Sequence, residues 1–565
     1  MTHRPLDLQL DWDADSLATH WIDSPDHRFF LQRLHQVTVE AMVAGGARRV
    51  LDIAAGEAGY TVDIARRGPR AVALDPSPRM LARARGIIDE TGARVTLVRG
   101  IAETLPFRDQ SFDGVLCHSA IDHMADPDGA VREMARVLTP DGRLVLGAGN
   151  YDGIGVRLSR FLYRLGRGAR LLDRDQHQFW DSPVPGEHTF EATARLLERL
   201  CSPYLEVERR LGVSIGWGAP GWGALLQRLP EHRARAVLGW LDRQAARKPG
   251  MADFAYLVCR PRPRRSWPVR RPPNEGGFVV QPDDVVYPYR AAIERFFWGL
   301  AGFGGTIVKS GPAGGRMANA AYTGDPERSW LDDLLARGPF RDAAVLGCDE
   351  DRHDAEWLRR GGSPRLDVYE LSPPVIRRVR DRLGPLRKRV RFIEADLNFA
   401  ELPEQRYEII WSSGCVHHIV NLEHLYAQVE RALRPGGLFA LHDYIGERRM
   451  QYSPARLARL NALLGEVPAR FRHGRVAALA PRDEREMSPF CAARSDEVLQ
   501  LAAARFELVH TGVFGGLFPL LFHLDLDAIA RDDPALFARL VAAEDAARHD
   551  PATPPCSAYA VFRKR

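Results

Sequence analysis

Two strand-ending acids and two histidine-bearing loops recur in this chain at one spacing. Asp75 closes the run AVALD and Glu370 closes RLDVYE, while His123 lies in AIDHM and His417 and His418 lie in CVHHI. Asp75 and Glu370, Asp113 and Glu408, His123 and His418, and Gly142 and Gly437 all stand 295 positions apart. A carboxylate at a strand end can accept hydrogen bonds from both hydroxyls of a diol such as a ribose. Histidine gains or loses a proton near neutral pH, so each histidine loop offers a base beside such a ligand. Ahead of Asp75 runs Asp52-Ile53-Ala54-Ala55-Gly56-Glu57-Ala58-Gly59. Its small residues let a ligand approach the backbone amides that open a helix.

The elements that must hold these groups are also written twice. RRVLDIA, AVALD, VTLVRG, SFDGVLCHS and RLVLGAG read as buried strands, and helices such as PRMLARARGIIDETG and DGAVREMARVL separate them. AAVLGC, RLDVYE, VRFIEAD, YEIIWSS and GLFALHDY repeat the plan, and FAYLVCR and SAYAVFR close the two copies. Strands alternating with helices of this length mean βαβ units and a mostly parallel sheet. A repeat unit this long is a duplicated domain rather than a solenoid. The sequence therefore predicts an α/β protein of two doubly wound domains with extra helical caps. They cover 1–260 and 286–565 and are joined by a Pro/Arg-rich linker, 261–285. In such sheets ligands bind beyond the carboxyl ends of the strands. Aromatic helices lead into each copy, with Trp12 and Trp21 as anchors in the first. The first cap carries His177, Trp180 and His188, and the loop Gly216–Gly223 is either a lid or a packed turn.

Composition narrows the function. Seven cysteines without a CxxC pair argue against a disulfide framework and a structural zinc site, and fit a reducing, cytoplasmic setting. The N-terminus lacks the apolar core of a signal peptide, and no apolar run approaches the roughly 20 residues of a membrane span. The net charge of +5 is mild for 565 residues. Basic residues concentrate in Arg260–Pro273, which reads as a stiff solvated linker rather than a nucleic-acid tether. A strand, a glycine turn, a helix and a distal acid serve nicotinamide cofactors and S-adenosylmethionine alike. Here the turn is D-x-A-x-G-x-A-G rather than GxGxxG.

With GIAETLPFRDQSFDGVL and HMADPDGAVREMARVLTPDGRLVL downstream, Val50–Leu146 resembles a class I S-adenosylmethionine-dependent methyltransferase of the small-molecule type. The resemblance implies a Rossmann-like fold. It implies that Asp52, Ala54, Gly56 and Gly59 line the methionine end of the cofactor and that Asp75 holds its ribose. Ile101, Ala102 and Glu103 would flank the adenine, and His118 would lie below the sulfonium. The family usually has glycine where this chain has Ala54 and Ala58. From Ala344 onward the second copy resembles methyltransferases of bacterial polysaccharide and natural-product pathways. ADLN, VHHIVNLEHLYAQVERALRPGGLF, LHDYIGERRMQY and SPFCAARSDEVL carry that likeness. Its cofactor residues would be Gly347, Glu370, Asp396 and Leu397.

The second copy's first turn departs from the family's LGCGEG: it reads Leu346-Gly347-Cys348-Asp349-Glu350-Asp351. Like charges about 4 Å apart repel by about 4 kcal/mol at an effective dielectric of 20, so these acids oppose the cofactor's carboxylate. The expectation is methyl transfer to a small molecule, foremost O-methylation of a sugar, glycolipid precursor or secondary metabolite. The first domain is expected to be the catalytic unit and the second a degenerate or remodelled partner. His123, His417 and His418 are the candidate bases, and Asp443 and Tyr444 could hold a substrate hydroxyl. The alternatives are that the second domain is the catalytic one, or that it is a non-catalytic, substrate-binding scaffold. A nucleic-acid methyltransferase is disfavoured, because CHSAIDH stands where amino-group enzymes of that kind carry an Asn/Asp-Pro-Pro-aromatic turn.

Overall fold

Alternation along the strands decides how each sheet is covered. Leu51, Ile53, Val115, Cys117, Leu144 and Leu146 pack into one apolar cluster, while their neighbours Val50, Leu116 and Val145 pack into another. Successive side chains of a strand point to opposite faces, so a strand apolar at every position must be covered on both. The second half behaves alike: Ala343, Val345, Ile409 and Trp411 face one cluster, and Ala344, Leu346 and Ile410 the other. Burying each valine, leucine or isoleucine among them contributes roughly 1.5–3 kcal/mol.

The computed structural model describes residues 24–124, 126–168, 190–219, 221–269, 279–299, 311–348, 353–480, 487–550 and 553–565. Trp12, Trp21, His177, Trp180, His188 and the acids Asp349, Glu350 and Asp351 lie outside them. The first sheet holds β1 (Arg49–Ile53), β2 (Arg70–Asp75), β3 (Val95–Arg99), β4 (Phe112–His118), β5 (Leu138–Gly149), β6 (Leu205–Val213) and β7 (Phe254–Pro261). The second holds β8 (Asp342–Leu346), β9 (Arg365–Glu370), β10 (Val390–Glu394), β11 (Tyr407–Ser413), β12 (Leu433–Tyr444), β13 (Glu507–Phe514) and β14 (Ser557–Arg563). Their orders are the same, β3-β2-β1-β4-β5-β7-β6 and β10-β9-β8-β11-β12-β14-β13. Among the strand pairs of these two sheets, as far as the described residues go, only those made by β7 and by β14 are antiparallel. The doubly wound α/β fold expected of both halves is present.

Register locates the one offset between the copies. In β1 Arg49 pairs with Arg70, whereas in β8 Asp342 pairs with Arg365. The second strands are thus 295 residues apart but the first strands only 293. Two extra residues therefore fall between β8 and β9, and Gly347 corresponds to Ala54 and Val345 to Asp52.

The chain divides into one unit of Met1–Arg270 with Asp283–Tyr289 and another of Arg271–Pro282 with Arg290–Arg565. Part of the expected solvated linker is built into the first unit. Pro261 still pairs within the sheet, Arg262 donates to the Ser202 and Leu205 carbonyls, and Arg264 bonds Asp109 and the Arg136 carbonyl. Asp128 accepts the amides of Val285 and Val286. Guanidinium groups are drawn to such carbonyl and carboxylate acceptors because each bond is charge-assisted. In the loop at Gly216, Trp217 is stacked on Phe30 with ring centroids 4.0 Å apart, and its amide donates to Asp253 at 2.8 Å. That loop is a packed turn.

Candidate active site

Both units build the same device at the carboxyl ends of their first two strands. In the first, Asp75 accepts the Gly56 amide at 2.8 Å and the Ser77 amide at 2.9 Å. In the second, Glu370 accepts the Cys348 amide at 3.1 Å and the Ser372 amide at 2.8 Å. Each acid thus ties the turn after the first strand to the helix after the second. Burial pushes the Glu370 carboxyl up to about 7, against the opposing pull of those amides.

The turns differ in backbone strain. Ala54, Gly56 and Ala58 have φ of 55°, 55° and 60°, and Gly347 has φ 76°. Left-handed backbone costs a residue with a Cβ roughly 1–2 kcal/mol, so Ala54 and Ala58 carry a cost that Gly347 avoids. A Cβ on Gly347 would lie 2.5 Å from Cys415 Sγ, so only glycine fits that cradle. Asp52 is buried against the Thr61 hydroxyl at 2.5 Å, and its carboxyl is raised to about 7, chiefly by burial. Gly59 opens the helix that follows.

Beyond the third strands the copies diverge further. Asp396 accepts the Asn398 amide at 3.0 Å, and Asn398 Oδ1 accepts the amides of Val420 and Asn421 at 2.8 and 2.9 Å. The Asp396–Leu397 loop is thereby fastened to the loop carrying His417 and His418. In the first unit Ile101 holds the position 295 residues before Asp396. Ala102 is buried in the core, and Glu103 faces the Asp126 amide at 3.5 Å.

His118 ends β4 but sits in an aromatic wall, 3.1 Å from the Tyr60 hydroxyl and 3.3 Å from the Tyr256 hydroxyl. Burial lowers it to about 3, so it is neutral. His123 closes a short turn, Ile121–His123, and is half-buried.

The corresponding turn of the second unit, Val416–His418, carries the denser constellation. His418 Nδ1 lies 3.0 Å from Glu294 Oε1, and its ring meets Trp298 edge-on at 5.0 Å. Glu294 also accepts the Phe490 amide at 3.0 Å and the Ser488 hydroxyl at 2.8 Å. His417 Nδ1 lies 2.5 Å from Asp443 Oδ1. Burial opposes charge on His417, but the Asp443 carboxylate overrides it and holds the imidazole up to about 10. Asp443 in turn accepts the amides of Val416 and Tyr444. The Tyr444 hydroxyl donates to the Glu447 carbonyl, and neither Asp443 nor Tyr444 is among the residues that line the cleft.

A cleft opens at this end of the second sheet, and Gly347, Glu370, Asp396, Leu397, Trp298 and His418 line it. The structure thus brings five expected residues of the second copy to one cavity, while His417 turns away into a buried ion pair. Glu294 and Trp298 were missed because the lead-in helix reads as amphipathic packing. The signal was an acid inside an otherwise apolar aromatic stretch, AAIERFFWG.

The methyltransferase domain family, whose model matches residues 51–146 and 345–441, covers one segment in each unit. The chain carries two methyltransferase domains in tandem, one in each unit. Among similar proteins, an uncharacterized methyltransferase of Mycobacterium tuberculosis is 42% identical over 108 residues, 19% of this chain and 42% of that protein. The demethylmenaquinone methyltransferase of Mycolicibacterium paratuberculosis is 40% identical over 111 residues, 20% of this chain and 46% of that protein. The chain therefore spans less than half the length of these relatives. Among solved structures, the magnesium protoporphyrin IX methyltransferase of Synechocystis, with bound S-adenosylhomocysteine, matches at 14% identity and TM-score 0.28. It covers 42% of this chain and 86% of that one. Among the described residues, no helix is long and apolar enough to cross a membrane.

Proposed function

We propose that this protein methylates a small-molecule acceptor at a hydroxyl oxygen, using S-adenosylmethionine, and that the cleft of the second unit is the reaction site. The observation behind this reading is that Glu370, Asp396, Leu397 and His418 share one cleft. Glu370 would take the ribose hydroxyls, Asp396 and Leu397 the adenine, and the backbone at Gly347 the methionine end. When bound, the cofactor supplies a methyl group on a sulfonium, which a nucleophile displaces directly. The chain's task is then to orient the acceptor and relieve its hydroxyl of a proton. His418, engaged at Nδ1 by Glu294, lines the cleft and is the candidate base for that proton.

This reading moves the reaction site from the first unit, which the sequence favours, to the second. The first unit keeps Asp75 as its ribose acid, but Ala54 and Ala58 strain its turn and Ile101 replaces the adenine-side acid. The acids Asp349, Glu350 and Asp351 do not forbid the proposal. S-adenosylmethionine carries a sulfonium and an ammonium beside its carboxylate, so nearby acids attract two of its three charges.

The test is equilibrium binding of S-adenosylhomocysteine to the full chain. Glu370→Ala should weaken the dominant binding event at least tenfold, and Asp75→Ala should leave it within twofold. The reverse pattern would return the reaction site to the first unit, and no binding by the intact chain would end the methyltransferase reading.

A further inference from the structure

We propose that the second unit binds one zinc ion through His417, His418 and Cys491, behind the part of the cleft wall that His418 forms. One ligand atom from each residue lies within 4.8 Å of the other two, and all three side chains are buried. Ligand atoms around a tetrahedral zinc stand about 3.3–3.8 Å apart, given its usual bond lengths. The remaining closure of about an ångström is within reach of side-chain rotation.

The surroundings are those of a metal site rather than of three residues that happen to meet. Each histidine has Nδ1 engaged by a buried carboxylate, His417 by Asp443 at 2.5 Å and His418 by Glu294 at 3.0 Å. Metal-binding histidines are oriented in this way, with the other ring nitrogen left for the ion. Both carboxylates are themselves fixed, Asp443 by two backbone amides and Glu294 by Phe490, Ser488 and Trp298.

Cys491 is held as firmly. The buried Arg449 guanidinium donates to the carbonyls of Ser488, Pro489 and Cys491 at 3.0, 3.3 and 3.0 Å. Arg449, Met450 and Ala492, packed around that loop, all take left-handed backbone with φ of 53°, 51° and 53°. Strain of this kind costs roughly 1–3 kcal/mol per residue and persists where surrounding structure enforces a functional geometry.

Two nitrogens and one sulfur suit zinc, and three protein ligands leave a fourth position. His418 and Phe490 line the cleft, so that position falls to water or to an acceptor oxygen. With zinc in place His418 Nε2 is taken by the ion, so the task given to His418 in the proposed function passes to the metal. A coordinated acceptor hydroxyl would release its proton to solvent more readily, because a bound zinc lowers the pKa of a coordinated oxygen. That last step rests on the proposed function, whereas the metal site does not.

The experiment uses the full chain, stripped with a chelator and dialysed against micromolar zinc or titrated with cobalt(II). The expected results are about one zinc per chain and a near-ultraviolet thiolate-to-cobalt charge-transfer band. Cys491→Ser should abolish the band and weaken zinc binding at least a hundredfold, His417→Gln at least tenfold, and the exposed control His232→Gln not at all. Zinc below about a tenth of an equivalent, or a cobalt complex of the wild-type chain without the thiolate band, would overturn the proposal without any variant having to fold. A band that survives Cys491→Ser would do the same. Failure here is separable from failure of the proposed function, which is read from S-adenosylhomocysteine affinity in wild type and Glu370→Ala.

Discussion

Cofactor affinity should rise with pH through neutrality, and Glu370 should be the cause. Its carboxyl is held near 7 because burial penalises the charged form more than the amides of Ser372 and Cys348 favour it. A ribose diol donates two hydrogen bonds, and both need the ionised carboxylate. If only that form binds, the apparent dissociation constant scales as one plus the ratio of protonated to ionised Glu370. With a pKa near 7 this factor is about 11 at pH 6 and about 1.1 at pH 8, so affinity improves about tenfold, or about 1.4 kcal/mol. Glu370→Gln removes the ionisation and should flatten the profile. At pH 8 it should also cost about 1.5–3 kcal/mol, the worth of hydrogen bonds to a charged acceptor. Titration calorimetry with S-adenosylhomocysteine at pH 6, 7 and 8, in buffers of different ionisation enthalpy, reads both affinity and proton release. A flat or falling wild-type profile, or a Gln variant that keeps the slope, would refute the assignment.

Three further outcomes follow from the geometry. Asp52 is also raised to about 7, so its cost to stability is absent below pH 4, grows as the unfolded chain ionises, and is complete above 7. Asp52→Asn should therefore raise the melting temperature at pH 8, by the equivalent of about 1–3 kcal/mol, and leave it unchanged near pH 4. Ala54→Gly relieves a left-handed alanine and should stabilise the first unit by about 0.5–1 kcal/mol in chemical denaturation, and an unstable variant would show that the methyl group packs usefully. Gly347→Ala forces a Cβ to 2.5 Å from Cys415 Sγ at φ 76°, and should cost about 1–3 kcal/mol and abolish the Glu370-dependent binding. Unaltered binding by Gly347→Ala would place the cofactor elsewhere.

Much of the site was legible because strand ends are fixed by local pattern. Asp75 and Glu370 follow apolar runs that could only be buried strands, and in this topology the carboxyl ends face the cleft. His418 was singled out from the histidine loop after the fourth strand, and Asp396 from the family resemblance of ADLN. Three matters were not legible. The repeat at 295 hides the two-residue offset of the first strands, because sequence landmarks there are degenerate and only hydrogen-bond register resolves them. His417 and His418 are adjacent and look interchangeable, yet in the short turn Val416–His418 one is drawn to Asp443 and the other to the cleft. Glu294 and Cys491 reach His418 and His417 from segments far away in the chain, and neither segment has a spacing that announces a ligand.

The sequence by itself determined the duplication, the doubly wound fold and the two strand-end acids, since periodicity and apolar runs are local properties that leave a backbone few choices. It also determined that the two turns would be unequal. Tertiary structure alone decided that Ala54 and Ala58 sit in left-handed backbone, that His118 is walled among tyrosines, and that Asp396, Glu370 and His418 line one cleft. It alone set Cys491 beside the paired histidines, each backed by a buried carboxylate. Those outcomes depend on which distant segments pack together, and packing is settled by the whole core at once rather than by any stretch of residues that feeds it.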